Sequence, residues 1–333
     1  MKERTRLEVA IVGAGLMGQW HARYAVAAGE RVAAVVDQRR QRAAELARRF
    51  AGARCFESLD ECLRAVPSDV VHVCTDGDHA PVSEQALAAG RHVLVEKPAA
   101  RSAAAARRLV EVAAQRNVRL CAVHQFGFQR GFRELLARRD RLGAIVRIAG
   151  VVCTAGGAGG SDLERREILL GITPHFLSLF RILAGPVGAL SWQVLVSTPD
   201  DLELSARQAD TQLSLSLSVR GRPPRNELVV VGTQATARLD LFHGYCVFEH
   251  RQGSRRDKVL APFRLGAGVI AGAALNLAER ALRAEPAFPG LRELIAAFYR
   301  SVRDGGDPPI PTDELLESAA LFERVAISWP AGA

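Results

Sequence analysis

Three glycines, one lysine, one acid and one histidine carry most of the chemistry that this sequence offers. Gly13, Gly15 and Gly18 stand in Gly13-Ala14-Gly15-Leu16-Met17-Gly18, directly behind an apolar run, and Asp37 closes a second apolar run 19 residues after Gly18. That spacing suits a dinucleotide. Gly13 turns the chain tightly, Gly15 lets backbone approach a pyrophosphate, and Gly18 lets the next helix sit close to its strand, while the helix N-terminus supplies an anion site. Asp37 is placed to accept from a ribose hydroxyl. Of the 44 lysines and arginines only Lys2, Lys97 and Lys258 are lysines. A lysine kept inside Glu96-Lys97-Pro98 suggests work that arginine cannot do, because an ammonium can release its proton and a guanidinium does not. Thr173 is placed to cap a helix and Pro174 suits its first position, which predicts His175 in a first helical turn. There the positive end of the helix dipole keeps the ring neutral and able to take a proton.

The elements that must position these groups alternate through the first 120 residues. Residues 7–12, 32–36, 70–74, 92–95 and 119–123 read as strands, with helices after Gly15, over 81–89 with Gly90 as the stop, and over 102–115. The result is an α/β fold, a Rossmann-type doubly wound parallel sheet, in which ligands gather beyond the carboxyl ends of the strands. Thr75 to His79, Glu96-Lys97 and His124-Gln125 all follow such ends. The expected cofactor-binding set is therefore Gly13, Gly15, Leu16, Met17, Gly18, Asp37, Arg39, Thr75, His79, Glu96 and Lys97, and the expected substrate set is His124, Gln125 and His175. Asp37 would repel a 2′-phosphate and argues for NAD. Arg39 and Arg40 follow at once and argue the reverse, so NADP stays open.

The texture changes after Gly143. Residues 144–152, 190–196, 211–219, 227–231, 235–241 and 245–250 read as strands, and Leu213, Leu215, Leu217 and Val219 alternate with Ser214, Ser216 and Ser218. A C-terminal α+β domain is expected, with a mostly antiparallel open sheet carrying helices. The division falls at 1–122 for nucleotide binding and 123–333 for substrate binding and oligomerisation. Residues 265–277 form an uncharged run of 13, below the ~17–25 of a membrane-spanning helix. Gly268 and Gly272 within it permit close helix approach, and with the serine face they predict a homodimer or homotetramer.

GAGLMG, Asp37, the segment AGRHVLVEKP at residues 89–98 and a histidine at a helix start in the second half together make the sequence resemble the Gfo/Idh/MocA oxidoreductases. The likeness runs over nearly the whole chain, and EKP is its most specific part. It implies that Lys97 lies beside nicotinamide and substrate with the Lys97-Pro98 bond cis, that His175 is the catalytic histidine, and that the second domain makes subunit contacts. His79 matches a histidine that the family often carries. The implied activity is NAD(P)-dependent hydride transfer between nicotinamide and a secondary alcohol or ketone of a sugar, sugar derivative or cyclic polyol. One departure stands out: Gly171 occupies the place of the family aspartate four residues before His175, and Thr173 replaces a glycine. That loss feeds an alternative, a catalytically impaired nucleotide-binding sensor or partner subunit. Lys97 and His175 oppose it.

Composition removes other classes. With 333 residues, 48% hydrophobic and 24% charged, the chain is globular rather than disordered. The net charge of +8 is spread beside acids, with no aromatic-interleaved basic block for nucleic acid. Cys55, Cys62, Cys74, Cys121, Cys153 and Cys246 lack metal-ligand spacing, so no metal is expected. The N-terminus mixes charges and meets only a short apolar run, which predicts a cytoplasmic protein with no membrane partner.

Overall fold

Valine- and alanine-rich runs of four to six residues can be buried on both faces only when helices cover both sides of a parallel sheet. The computed structural model, which describes residues 6–157, 159–250 and 253–329, shows that arrangement in the first of two units. Its elements run β1 (Glu8–Val12), α1 (Leu16–Ala27), β2 (Arg31–Val36), α2 (Arg40–Ala47), β3 (Arg54–Phe56), α3 (Leu59–Ala65), β4 (Val70–Val73), α4 (Ala80–Ala88), β5 (His92–Val95), α5 (Ala103–Gln115) and β6 (Leu120–Ala122). All neighbours are parallel, in the order β3-β2-β1-β4-β5-β6. The chain reverses its direction of winding between β1 and β4, and the loops after these two strands flank that switch point.

In the second unit, α6 (Arg130–Ala137) leads to β7 (Ile145–Cys153), α7 (Asp162–Ala184), β8 (Gln193–Thr198), β9 (Asp201–Gln208), β10 (Thr211–Ser218), β11 (Arg225–Gly232), β12 (Ala235–Asp240), β13 (Tyr245–His250) and α8 (Arg255–Leu282). The sheet order is β13-β12-β11-β7-β10-β9-β8, antiparallel except for the β7/β10 pair. Leu213, Leu215 and Leu217 point into the core while the serines between them stay half-buried. At Gly150 a Cβ would come within 2.5 Å of the Phe176 ring. This glycine lets α7 lie down on the sheet.

The expected boundary lies after residue 122; by compactness the first unit includes residues up to His124. The remainder differs from expectation. Residues Leu291–Glu323, comprising α9 (Leu291–Asp304) and the first part of α10 (Thr312–Ser328), return to the first unit. Leu315 and Ala319 pack into its hydrophobic core, and α9 buries Leu291, Leu294, Ile295, Phe298 and Tyr299.

Two helices, α7 and α8, are long and apolar enough to cross a membrane by length and composition. The apolar window of α7 is 67% buried, as a core helix is, whereas that of α8 is 6% buried. Gly268 and Gly272 are expected to permit close helix approach, and the structure shows a strand beside them instead. A Cβ at either would meet Val247 or Tyr245, so the close approach that they permit is to β13 of the same chain.

Candidate active site

The glycine loop follows from sterics. Gly13 adopts φ +96, and a Cβ there would lie 2.5 Å from the Cys74 carbonyl oxygen. At Gly18 a Cβ would collide with the Gly13 carbonyl. Nothing lies within 4 Å of the Cβ position of Gly15, so open space faces the backbone at the α1 N-terminus, where Leu16 is exposed and Met17 half-buried. Asp37 closes the turn: its carboxylate accepts from Ala14 N at 2.8 Å and from Arg39 N at 2.9 Å. Each bond to a charged acceptor is worth about 1.5–3 kcal/mol. Arg39 is otherwise exposed, and Arg40 pairs with Glu57. The cradle fits a dinucleotide phosphate, and the buried Thr75 Oγ1, without a partner among the described residues, adds an unused polar atom just past β4.

Beyond β5, the Lys97-Pro98 bond is cis, as the resemblance implies. His79 sits buried at the N-cap of α4 with Nδ1 2.8 Å from the Pro98 carbonyl and Nε2 2.8 Å from the Thr75 carbonyl. It ties the lysine loop to the loop after β4. Glu96 is buried and receives Lys97 N at 3.3 Å and the Nε2 of His21 at 3.0 Å. Burial alone would raise its carboxyl, yet the hydrogen bond from His21 and the Lys97 charge leave it below the ordinary glutamate value. Sequence reasoning does not find His21. The signal was its place three residues after Gly18, one turn along α1.

His124 follows β6, as expected, but it is buried and its Nδ1 lies 2.7 Å from the Glu314 carboxylate on α10. The chain returns 190 residues later to supply that acid. Gln125, likewise buried, belongs to the second unit.

His175 is placed differently from the sequence expectation. Helix α7 begins at Asp162 behind a Ser161–Glu164 capping box, so Pro174 lies inside the helix and His175 far beyond its first turn. The Thr173 hydroxyl donates back to the Leu169 carbonyl at 3.1 Å instead of capping. The dipole argument for a neutral ring therefore falls. What positions His175 is packing: the ring is buried and stacks on Phe126 with centroids 4.3 Å apart, beside Phe176 over Gly150. Gly171 leaves no side chain one turn earlier on the helix. Among the described residues no cluster of metal-ligating side chains is present.

Residues 7–124 match the GFO_IDH_MocA oxidoreductase family, which has an NAD-binding Rossmann fold. The chain is 37% identical over 130 residues to inositol 2-dehydrogenase of Paracoccus denitrificans, covering 38% of each chain. It is 34% identical over 119 residues to UDP-N-acetylglucosamine 3-dehydrogenase of Acidithiobacillus ferrooxidans, covering 35% of this chain and 37% of the relative. Each match thus spans under two fifths of the relative's own length. The crystal structure of the WlbA dehydrogenase from Bordetella pertussis, in complex with NADH and UDP-GlcNAcA, superposes with a TM-score of 0.77 over 98% of this chain and 99% of that one at 18% identity. The likeness in fold therefore extends over both units.

Proposed function

We propose, from a chain whose residues 7–124 belong to the Gfo/Idh/MocA oxidoreductase family, that this protein is an NAD-dependent dehydrogenase acting on a secondary alcohol of a sugar, sugar derivative or cyclic polyol. The observation that carries the reading is the loop pair around Gly15 and Lys97, an open phosphate cradle beside a lysine segment clamped by His79 and Glu96. When bound, NAD would supply the hydride chemistry. The protein's own groups supply the rest: Lys97 polarises the substrate oxygen by charge and hydrogen bond, and His175 exchanges the hydroxyl proton. Titration with NADH, followed by a screen of inositols, aldoses and nucleotide sugars for cofactor reduction, tests the reading. Gly171 favours a second one, a nucleotide-binding partner that no longer turns over.

Cofactor choice rests on Asp37. Wild type is expected to hold NADH at least tenfold more tightly than NADPH, a gap of ~1.4 kcal/mol. In Asp37→Ala the gap should close, because the carboxylate that repels a 2′-phosphate is gone. NADPH binding wild type the more tightly in fluorescence titrations would hand the role to Arg39.

The exposed face of α8 supports a homo-oligomer. Phe263, Ile270 and Leu277 recur every seven residues at 73%, 72% and 69% exposure, and the exposed Ala267, Ala274 and Ala281 recur between them. Large and small positions thus alternate along one stripe, as a coiled-coil seam does. Two antiparallel copies bring Phe263 against Ala281, Ile270 against Ala274 and Leu277 against Ala267, so each large side chain meets a methyl. Burying six large side chains contributes about 9–18 kcal/mol, against an association cost of about 4–15 kcal/mol. Light scattering is expected to give twice the 35.9 kDa chain mass or more, and Ile270→Glu should return monomer. A wild-type monomer at micromolar concentration, or one that partitions onto lipid vesicles, would refute the pairing.

A further inference from the structure

Four polar side chains from four elements line up inside the first unit. Tyr299 on α9 lies 2.9 Å from His72 Nε2 on β4, His72 Nδ1 lies 2.9 Å from His21 Nδ1 on α1, and His21 Nε2 lies 3.0 Å from Glu96 after β5. All four are buried. The proton order follows from counting. A carboxylate only accepts, so His21 carries a proton on Nε2, which leaves its Nδ1 to accept when the file holds no charged ring. His72 therefore carries its proton on Nδ1, its Nε2 accepts, and the Tyr299 hydroxyl donates to it. Every proton points toward Glu96.

We propose that Tyr299, His72 and His21 form one buried file of hydrogen bonds that keeps Glu96 a carboxylate at the root of Lys97, which makes all three positioning residues for the lysine. Burial, with His21 beside it, pushes the His72 ring well below its ordinary value, so His72 passes on a hydrogen bond without charging. Burial also lifts the Tyr299 hydroxyl well above its ordinary range, so the tyrosine stays a donor. The buried Cys74 thiol is likewise pushed well up by burial and stays neutral. A core built for stability alone gains more from well-packed apolar side chains than from a buried ionised group and its partners. The file has a different product: a fixed anion one residue from Lys97. Its structural part stands on this geometry, and its effect on turnover rests on the dehydrogenase reading.

Infrared spectra and kinetics of His21→Leu, His21→Gln and Tyr299→Phe test the file. About two pH units above an ordinary glutamate's pKa of ~4.3, His21→Leu should show a buried protonated-carboxyl band that is lost again in His21→Leu/Glu96→Gln. Wild type and His21→Gln, whose amide still donates, should show none. Turnover should fall roughly tenfold in His21→Leu and roughly threefold in Tyr299→Phe, as expected for lost buried hydrogen bonds, with KM and NADH affinity unchanged. Phe298→Leu, on the same helix and outside the file, should lose stability only. The proposal is overturned if His21→Leu shows no carboxyl band, or if His21→Gln behaves like His21→Leu. Should His21→Leu fail to fold, ¹⁵N spectra of wild type decide: protons on His21 Nε2 and His72 Nδ1 support the file, and a His72 proton on Nε2 refutes it. A wild type that fails to bind NADH would sink the dehydrogenase reading and leave the carboxyl and tautomer results standing.

Discussion

Lys97→Met and His175→Asn are each expected to lower turnover by ~10²–10⁴, the usual worth of a positioned acid or base, while NADH affinity barely moves. The expectation for Lys97 comes from its setting. The main chain at Lys97 is held by Glu96 and the next carbonyl by His79, so the lysine's backbone cannot wander, and methionine keeps the length while removing charge and donors. For His175 it comes from burial against Phe126, which fixes the ring plane without a carboxylate one turn earlier. Gly171→Asp is the informative reversal. If the proposed activity holds and the protein is a weakened family member, the restored acid raises turnover on inositol-like or aldose substrates; if its own substrate fills that space, the acid clashes and turnover falls. Steady-state kinetics on the three variants separate these cases, and wild-type turnover that survives both Lys97→Met and His175→Asn would remove the catalytic assignment. A protein that binds NADH with no turnover on any screened sugar would support the nucleotide-binding partner instead.

The nucleotide loop is legible in the sequence because each glycine answers to a local steric demand. Gly13 needs a positive φ, Gly18 has no room for a methyl beside the Gly13 carbonyl, and Asp37 ends the strand that hydrogen-bonds to the turn through Val36. The start of α7 is not legible from Thr173-Pro174, since those residues imitate an N-cap and first turn. Proline inside a helix costs ~3 kcal/mol. The burial of Leu169, Leu170, Phe176, Leu177, Leu179 and Phe180 on both sides of Pro174 offsets that cost, and the true signal is Ser161 three residues ahead of Glu164. Gly268 and Gly272 are legible as sites of close approach but not as to what approaches. Tyr299 and Glu314 leave no local mark at all. Only tertiary packing decides that a segment 227 residues from His72, and an acid 190 residues from His124, come back to the nucleotide unit.

Stability is expected to rise with pH between about 5.5 and 7, with histidines as the cause. Burial, with His21 beside it, holds His72 well below its ordinary value. Burial and the Arg119 charge hold His92 below its own, against an opposing pull from Asp69. The sign follows from proton counts. Below the unfolded value of ~6.5 the unfolded chain binds protons that the folded rings refuse, so acid draws the equilibrium toward unfolding. Above it neither state is protonated, and the full stability is present. A fully refused proton contributes a slope of at most about 1.4 kcal/mol per pH unit, and the fully buried His72 carries the larger part of it, with the half-buried His92 adding less. Glu96 acts in a separate window. Its lowered carboxyl value means that its contribution is present above the unfolded glutamate value of ~4.3 and is lost only as pH falls through the folded one. His92 also accepts from Arg119 N at 2.9 Å through Nδ1, a bond that protonation would break. In His92→Asn, whose side-chain oxygen can accept in its place, denaturant midpoints measured at about pH 7.5, 6.5 and 5.5 should therefore fall less steeply than in wild type, with the remaining slope belonging to His72. A wild type whose stability is flat across that range, or greater at the acid end, would mean that the buried rings are not held neutral.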